Sequence, residues 1–200
     1  MPQRVHVIDD DEAARESLAF LLETHGFDVA VYESGVRFVE AYAGDEHGVV
    51  VTDVRMPGMS GLELVERLHE RGARIPIIVI TGHGDIRMAV EAMRAGVHDF
   101  IEKPFDGHAI VESIKAALCR SEIAAEKDGE RTELLRRIEK LSTREHQVLA
   151  ALVNGASNKE VARELGISPR TIEIYRANVM TKMQATSLSE LVRMALAVGS

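Results

Sequence analysis

The chain predicts an α/β fold, a doubly wound five-stranded parallel sheet, followed by a small all-α domain. Three observations carry this. Over residues 1–122, short apolar runs alternate with stretches of helical periodicity, the pattern of β/α pairs in a doubly wound sheet. Four of these runs end in side chains that carry chemistry rather than in turn formers. Beyond residue 141 the strand-like runs stop, and capped helical segments take their place.

Taken in order, Val5-His6-Val7-Ile8 is an apolar run that ends in Asp9-Asp10. Gly48-Val49-Val50-Val51-Thr52 reads as a short buried strand delivering Asp53 at its C-terminal end. Ile77-Ile78-Val79-Ile80 ends in Thr81, and Phe100-Ile101 leads to Lys103-Pro104. Helices are predicted over 11–25, 34–43, 61–71, 86–95 and 107–120, with Gly26, Gly72 and Gly96 as C-terminal stops. Residues 123–140 are charge-rich and free of proline, with Leu134, Ile138 and Leu141 at helical spacing. They read as a linker helix with a coiled-coil seam, or as a solvated helix whose apolar side packs on its own domain.

The tail, 141–200, reads as four capped helices. Ser142-Thr143-Arg144-Glu145 is a capping box, in which the serine and the glutamate each satisfy a free backbone N–H of the first turn. Ser157-Asn158-Lys159-Glu160 is a second, opening a helix that stops at Gly166. Ser168-Pro169 supplies an N-cap and a proline at the first helical position, where its missing N–H costs nothing. Ser187-Leu188-Ser189-Glu190 opens the last helix. Two helices joined by Gly166-Ile167-Ser168 make a helix-turn-helix, whose second helix enters the major groove of DNA.

In an open parallel sheet, ligands bind at the carboxyl ends of the strands. Asp9, Asp10, Asp53, Thr81 and Lys103 are therefore expected to converge at one edge. Mg²⁺ is a hard ion that takes one or two carboxylates together with water and phosphate oxygens. Asp10 and Asp53 suit it, with Asp9 reaching it through water or serving, with Asp11 and Glu12, as helix N-terminal charge. A carboxylate can also be a nucleophile and form an aspartyl-phosphate. Phosphoryl transfer rests on positioning and electrostatics, and the Thr81 hydroxyl and Lys103 ammonium can each take one phosphoryl oxygen.

With those residues in place, residues 1–122 resemble a response-regulator receiver domain, of flavodoxin-like fold. The matching residues are Asp9-Asp10, Asp53 within Val51-Thr52-Asp53-Val54-Arg55-Met56-Pro57-Gly58, Thr81-Gly82 and Lys103-Pro104. Thr81-Gly82-His83-Gly84-Asp85 and Phe100-Ile101-Glu102-Lys103-Pro104-Phe105 point on to the FixJ family. The resemblance implies that Asp53 accepts phosphate from a sensor histidine kinase and that the Arg55 main-chain carbonyl completes the Mg²⁺ site. It also implies a cis Lys103-Pro104 bond. Phe100 is then a switch ring that turns inward when Thr81 bonds phosphate, or plain core. His83 and Arg55 tune phosphoryl lifetime, or are solvated loop residues.

Residues 141–197 resemble the LuxR-type output domain of FixJ regulators, through Asn158-Lys159-Glu160-Val161-Ala162-Arg163-Glu164-Leu165-Gly166-Ile167-Ser168-Pro169-Arg170-Thr171-Ile172-Glu173. On the recognition helix Ile172, Val179 and Met183 form the core face, with Tyr175 at its margin. The opposite face carries Arg170, Glu173, Ile174, Ala177, Asn178 and Thr181, with Thr171 beside it. Glu173 can accept from cytosine, Asn178 can pair with adenine, and Ile174 or Ala177 can touch a thymine methyl. Lys159, Arg176 and Lys182 suit phosphates, although Arg176 could instead pair with a glutamate of its own domain.

Composition agrees. The 200 residues carry a net charge of −8, no tryptophan and one cysteine, Cys119. A single cysteine excludes an internal disulfide framework and fits a reducing cytoplasm. No run approaches a membrane span. The overall charge disfavours nucleic acid, but from Ser142 onward Arg144, Lys159, Arg163, Arg170, Arg176, Lys182 and Arg193 outnumber Glu145, Glu160, Glu164, Glu173 and Glu190. A basic module follows an acidic one, an asymmetry that suggests a nucleic-acid output.

Two other functions fit this sequence less well. A metal-dependent phosphatase of haloacid-dehalogenase type needs an acid two residues after the nucleophile, where Arg55 stands. A nucleotide-binding module needs a glycine-rich loop after the first strand, where Asp9-Asp10-Asp11-Glu12 would repel phosphates. The expected protein is a cytoplasmic transcriptional regulator rather than an enzyme, with a histidine kinase, double-stranded operator DNA and RNA polymerase as partners. Phosphorylation is expected to relieve autoinhibition and to produce a homodimer.

Overall fold

The structure, a computed structural model, describes residues 3–44, 48–82 and 86–199. Five strands, β1 (Arg4–Ile8), β2 (Asp28–Tyr32), β3 (Val49–Asp53), β4 (Ile77–Thr81) and β5 (Asp99–Glu102), form one sheet in the order β2-β1-β3-β4-β5. Every pairing is parallel, with Val50 opposite Ile77 and Thr81 opposite Glu102. Helices α1 (Glu12–Thr24), α2 (Gly35–Ala41), α3 (Gly61–Glu70), α4 (Ile86–Arg94) and α5 (Gly107–Glu139) follow the strands in turn.

The central strands β3 and β4 read as continuous apolar runs because both of their faces are covered. Alternate side chains point to opposite faces of a strand, and the two core layers divide the residues in that way. Val49, Val51, Ile78 and Ile80 enter the layer with Leu22 of α1 and Ile110, Val111 and Ile114 of α5. Val50, Ile77 and Val79 enter the layer with Phe38 of α2, Leu64 and Leu68 of α3 and Ala92 of α4. The predicted glycine stops hold: α1, α3 and α4 end two residues before Gly26, Gly72 and Gly96.

The chain divides into two compact units, Met1–Ile123 and Ala124–Ser200. The division falls inside α5, which runs unbroken from Gly107 to Glu139. Where the sequence predicts a helix over 107–120 and a separate linker over 123–140, there is one helix. Nothing in the intervening segment stops it: the charged side chains are good helix formers, and Gly129 alone costs about 1 kcal/mol.

The second unit holds α6 (Thr143–Val153), α7 (Asn158–Leu165), α8 (Pro169–Met183) and α9 (Leu188–Ala197). Ser142/Glu145 and Ser157/Glu160 form the predicted capping boxes, and Ser168 caps α8 with Pro169 in its first turn. Ser187 caps α9, but Glu190 reaches back to Thr186 instead of closing a box on Ser187. Gly166 ends α7 at φ 68°, the left-handed conformation that a residue without Cβ adopts freely. Val148, Leu149, Leu152, Val161, Ile172, Val179, Met183 and Leu191 fill the core, joined by Leu134 and Ile138 from the last turns of α5.

Candidate functional site

β1 and β3 are neighbours in the sheet, yet β1 leads on to β2 at one edge and β3 to β4 toward the other. The crevice between their carboxyl ends is therefore the topological switch point, where open α/β sheets bind ligands. Asp9 follows β1 and Asp53 ends β3, so the fold sets two carboxylates at that point. Asp9 is buried, the Asp53 side chain nearly so, and Asp10 is exposed.

Lys103, just beyond β5, closes the group. Its backbone N–H donates to the Thr81 carbonyl at 2.7 Å, and the Lys103-Pro104 bond is cis, as expected. Its Nζ donates to Asp9 Oδ2 and to Asp53 Oδ1, both at 2.9 Å. Burial by itself would lower the lysine pKa, but the hydrogen bonds and charges of Asp53 and Asp9 outweigh it and hold the ammonium above its ordinary value. The other Asp53 oxygen accepts the Arg55 backbone N–H at 2.7 Å, which fixes the Arg55 main chain beside the carboxylate.

Thr81 is buried at the end of β4, its hydroxyl 4.0 Å from the thioether of Met88 on α4. Phe100 on β5 is half-buried and packs, like Met88, on the core layer under α3 and α4. The threonine and the ring thus border the same layer. His83 lies outside the described residues.

Three further groups support the site; the sequence singles out Asp11 as helix N-terminal charge, but not Arg15 or Gly61. Arg15 on α1 donates from Nη1 to the Asp9 carbonyl at 2.7 Å and braces the turn that carries Asp9-Asp10. Asp11 caps α1 and donates its backbone N–H to Asp9 Oδ1 at 3.0 Å. Gly61 begins α3 against the end of β3, where a Cβ would lie 2.3 Å from the Asp53 carbonyl oxygen. The one sequence signal for that approach is the Ser60/Glu63 capping box immediately before it.

Among the described residues, no three His, Cys, Asp or Glu side chains are gathered as a cation cage. Mg²⁺ needs no such cage. It takes one or two carboxylates and fills its octahedron with water and other oxygens. Asp9, Asp10 and Asp53 offer oxygen donors alone, which suits a hard ion, and Lys103 pairs with two of them.

On the second unit, α8 presents Arg170, Glu173, Ile174, Ala177, Asn178 and Thr181 to solvent, and Ile172, Val179 and Met183 are fully buried. Thr171 is half-buried, its hydroxyl 2.8 Å from that of Ser168 at the start of the helix. Tyr175 is half-buried at the margin, as expected. Lys159 and Arg176 line an open groove with Leu152, Ser157, Asn158 and Leu188, at the start of α7.

Lys182, expected to suit phosphates, is exposed and also pairs within its own unit. Its Nζ donates to Glu145 Oε2 at 2.6 Å and to the Lys140 carbonyl at 3.2 Å. Glu145 is almost wholly buried, and the Lys182 ammonium, then the Ser142 backbone N–H, hold its carboxyl below the usual range against the effect of burial. Lys182 thus makes an intradomain ion pair of the kind considered for Arg176. The sequence reading treated Glu145 as a cap alone, whereas 37 residues separate it from its partner.

No helix among the described residues is long and apolar enough to cross a membrane. Residues 5–115 match the response regulator receiver domain, and residues 139–195 match the bacterial regulatory proteins of the luxR family. The transcriptional regulatory protein FixJ of Azorhizobium caulinodans is 57% identical over 195 residues, covering 98% of this chain and 92% of that one. FixJ of Rhizobium meliloti is 53% identical over 197 residues, 98% of this chain and 96% of its own. Among solved structures, the response regulator StyR aligns over 98% of this chain and 99% of its own at 39% identity, with a TM-score of 0.87. Full-length FixJ from B. japonicum aligns over 98% and 97% at 49% identity, with a TM-score of 0.62. The chain therefore belongs to the FixJ family of two-component response regulators, transcription regulators in which a receiver domain precedes a LuxR-type helix-turn-helix domain.

Proposed function

We propose that a sensor histidine kinase phosphorylates Asp53 in a Mg²⁺-dependent step, and that this controls DNA binding by α8. The observation that carries the reading is the Lys103 ammonium at 2.9 Å from both Asp9 and Asp53 at the sheet's switch point. A nucleophilic carboxylate there has a fixed cation beside it, ready for an incoming phosphoryl oxygen. Asp9, Asp10, Asp53 and the Arg55 main-chain carbonyl would hold Mg²⁺, which supplies further neutralisation of phosphoryl charge when bound. Arg15 and the Arg55 N–H orient the acids.

Once Asp53 is phosphorylated, Lys103 keeps one phosphoryl oxygen and the Thr81 hydroxyl takes another. To do so Thr81 turns away from Met88, which frees space for Phe100 to move inward. The changed face of α4 and β5 then pairs with a second receiver. The homodimer presents two copies of α8 to half-sites of a cytoplasmic operator, the helices reading bases through Glu173, Ile174, Ala177 and Asn178. Arg170, Thr171, Thr181, Lys159 and Arg176 hold the backbone. Tethering two weak binders raises apparent affinity by about a hundredfold without a new contact. Release of the DNA-binding unit from autoinhibition by the receiver, and contact with RNA polymerase, complete the reading.

Intact-mass measurement after incubation with acetyl phosphate and Mg²⁺ tests it. The full chain should gain one phosphoryl group, labile in base, and Asp53→Asn should gain none. Sedimentation with beryllofluoride should then show the wild-type dimer and leave Asp53→Asn monomeric. A phosphoryl group on the Asp53→Asn variant, or equal sedimentation of treated and untreated wild type, would contradict the assignment.

A further inference from the structure

We propose that Arg137, near the end of α5, is a positioning residue for DNA recognition, fixing α8 by capping its C-terminus. A helix leaves its last carbonyls without partners and carries roughly half a negative charge at that end. The C-termini of α5 and α8 lie together in the second unit, an arrangement that is unfavourable unless cations intervene. Two do, each from the other helix. Arg137 of α5 donates from Nη1 to the Met183 carbonyl, the last of α8, at 3.0 Å. Lys182 of α8 donates from Nζ to the Lys140 carbonyl, just past α5, at 3.2 Å.

The Arg137 contact is built rather than incidental. Its Nε donates to Glu133 Oε1 at 3.1 Å, one turn earlier on α5, so the guanidinium is held from behind as it reaches forward. Its side chain is one-fifth exposed. Leu134 and Ile138 of α5 flank it, packed on the core that also holds Ile172, Val179 and Met183. The turn after α8 needs such support, because Gln184 adopts φ 56° there, a left-handed conformation that a side chain disfavours.

Position matters more here than attachment. Base edges are read by short, directional hydrogen bonds, each worth about a tenfold or greater discrimination against the wrong base. Phosphate contacts by long basic side chains tolerate small shifts and carry no sequence information. Glu173, Ile174 and Asn178 read from the exposed face of α8, so a helix loosened at its C-terminus loses discrimination before it loses affinity. The proposal rests on the reading of α8 as the DNA-reading helix.

The test uses the full chain treated with beryllofluoride, its Arg137→Met and Arg137→Lys variants, and two duplexes. One is the sequence that the wild type enriches from a random library, and the other is a scrambled duplex of equal length. Arg137→Met keeps the apolar stem and removes the donors. It should cut the preference for the enriched duplex about tenfold, with affinity for the scrambled duplex and its salt dependence unchanged. Arg137→Lys should restore most of the preference. An unchanged preference in Arg137→Met overturns the proposal. So does a loss that Arg137→Lys fails to restore and that follows a lowered urea midpoint, since that outcome describes stability alone. If the wild type itself enriches no sequence, the reading of α8 fails and the proposal falls with it; that failure is seen in the parent chain, whereas failure of the Arg137 inference is seen only in the variants.

Discussion

Gly61→Ala is the substitution by which the packing around Asp53, the proposed phosphoacceptor, is best measured. A Cβ at this position would lie 2.3 Å from the Asp53 carbonyl oxygen and 3.2 Å from Val54 Cα. The first distance is more than about 1 Å inside ordinary contact between carbon and its neighbours. The atoms it meets are backbone, and they are already committed. The Gly61 N–H donates to the Val54 carbonyl at 2.9 Å, and the Val54 N–H donates to the Ile80 carbonyl on β4 at 2.9 Å. Overpacking of this kind costs about 1–3 kcal/mol. The gain from replacing glycine, about 0.4–1 kcal/mol through the unfolded chain, offsets only part of it. A net loss of about 1–2 kcal/mol is expected from urea unfolding of the receiver. The larger effect is chemical, because the displaced group is the main chain of Asp53 itself. A misplacement of about 1 Å can cost a hundredfold in rate, so phosphorylation by acetyl phosphate, followed by intact mass, should slow by about tenfold or more. Gly129→Ala is the control. There a Cβ meets nothing within 4 Å, inside α5, and the change should stabilise by up to about 1 kcal/mol with phosphorylation untouched. Phosphorylation of Gly61→Ala at the wild-type rate would refute the reasoning.

Two further outcomes follow from the second unit. Glu145→Gln keeps the shape of the cap but removes the charge that faces Lys182, and should lower the stability of this unit at neutral pH by about 1–2 kcal/mol. The Glu145 carboxyl is depressed in the folded chain. Its contribution is therefore present above the unfolded value and is lost as pH falls through the folded one. Urea melts of the two proteins should converge in acid, and a difference independent of pH would count against the ion pair. On the DNA side, Asn178→Ala should relax base preference at one operator position, at a cost of about 1–3 kcal/mol, whereas Lys159→Ala should weaken all sequences alike and reduce the salt slope by about one. Binding titrations over several salt concentrations and a set of operator variants separate the two.

The receiver site was legible because a strand's end is fixed by its apolar run. Val49 to Thr52 is too short and too β-branched to suit a helix, so it reads as a strand with Asp53 at its carboxyl end, and the same holds for the runs before Asp9 and Thr81. Parallel pairing then brings the ends together. The helix faces of the second unit were legible for a similar reason: Ile172, Val179 and Met183 repeat at helical spacing and are all buried. What the sequence hid depends on how elements pack. Glu145 and Lys182 belong to different helices, and their pairing depends on the packing of α6 against α8, which periodicity does not encode. Gly61 looks like any helix-opening glycine until the Asp53 carbonyl is seen against it. The continuity of α5 was hidden because its middle is exposed and charged, without the buried stripe by which helices are usually traced.

The charge balance at Asp53 suits the proposed role of a switch rather than that of a static ion pair. Asp9, Asp10 and Asp53 bring three negative charges and Lys103 one positive, leaving an excess that a divalent cation matches. The Lys103 ammonium is shared between Asp9 and Asp53 at equal distances. Phosphorylation of Asp53 replaces a carboxylate by a group with about one more negative charge and three strong acceptor oxygens. The cations already present can satisfy some of them, but the added acceptors exceed the fixed donors. A neutral hydroxyl can supply a further donor, and Thr81 ends the neighbouring strand with its hydroxyl set against the weakly accepting thioether of Met88. A sulfur acceptor is a poor competitor for a phosphoryl oxygen. Under the proposed phosphorylation a phosphoryl oxygen would be a stronger acceptor for Thr81 than the thioether, and Phe100 packs on the same layer as Met88, where it would register the move.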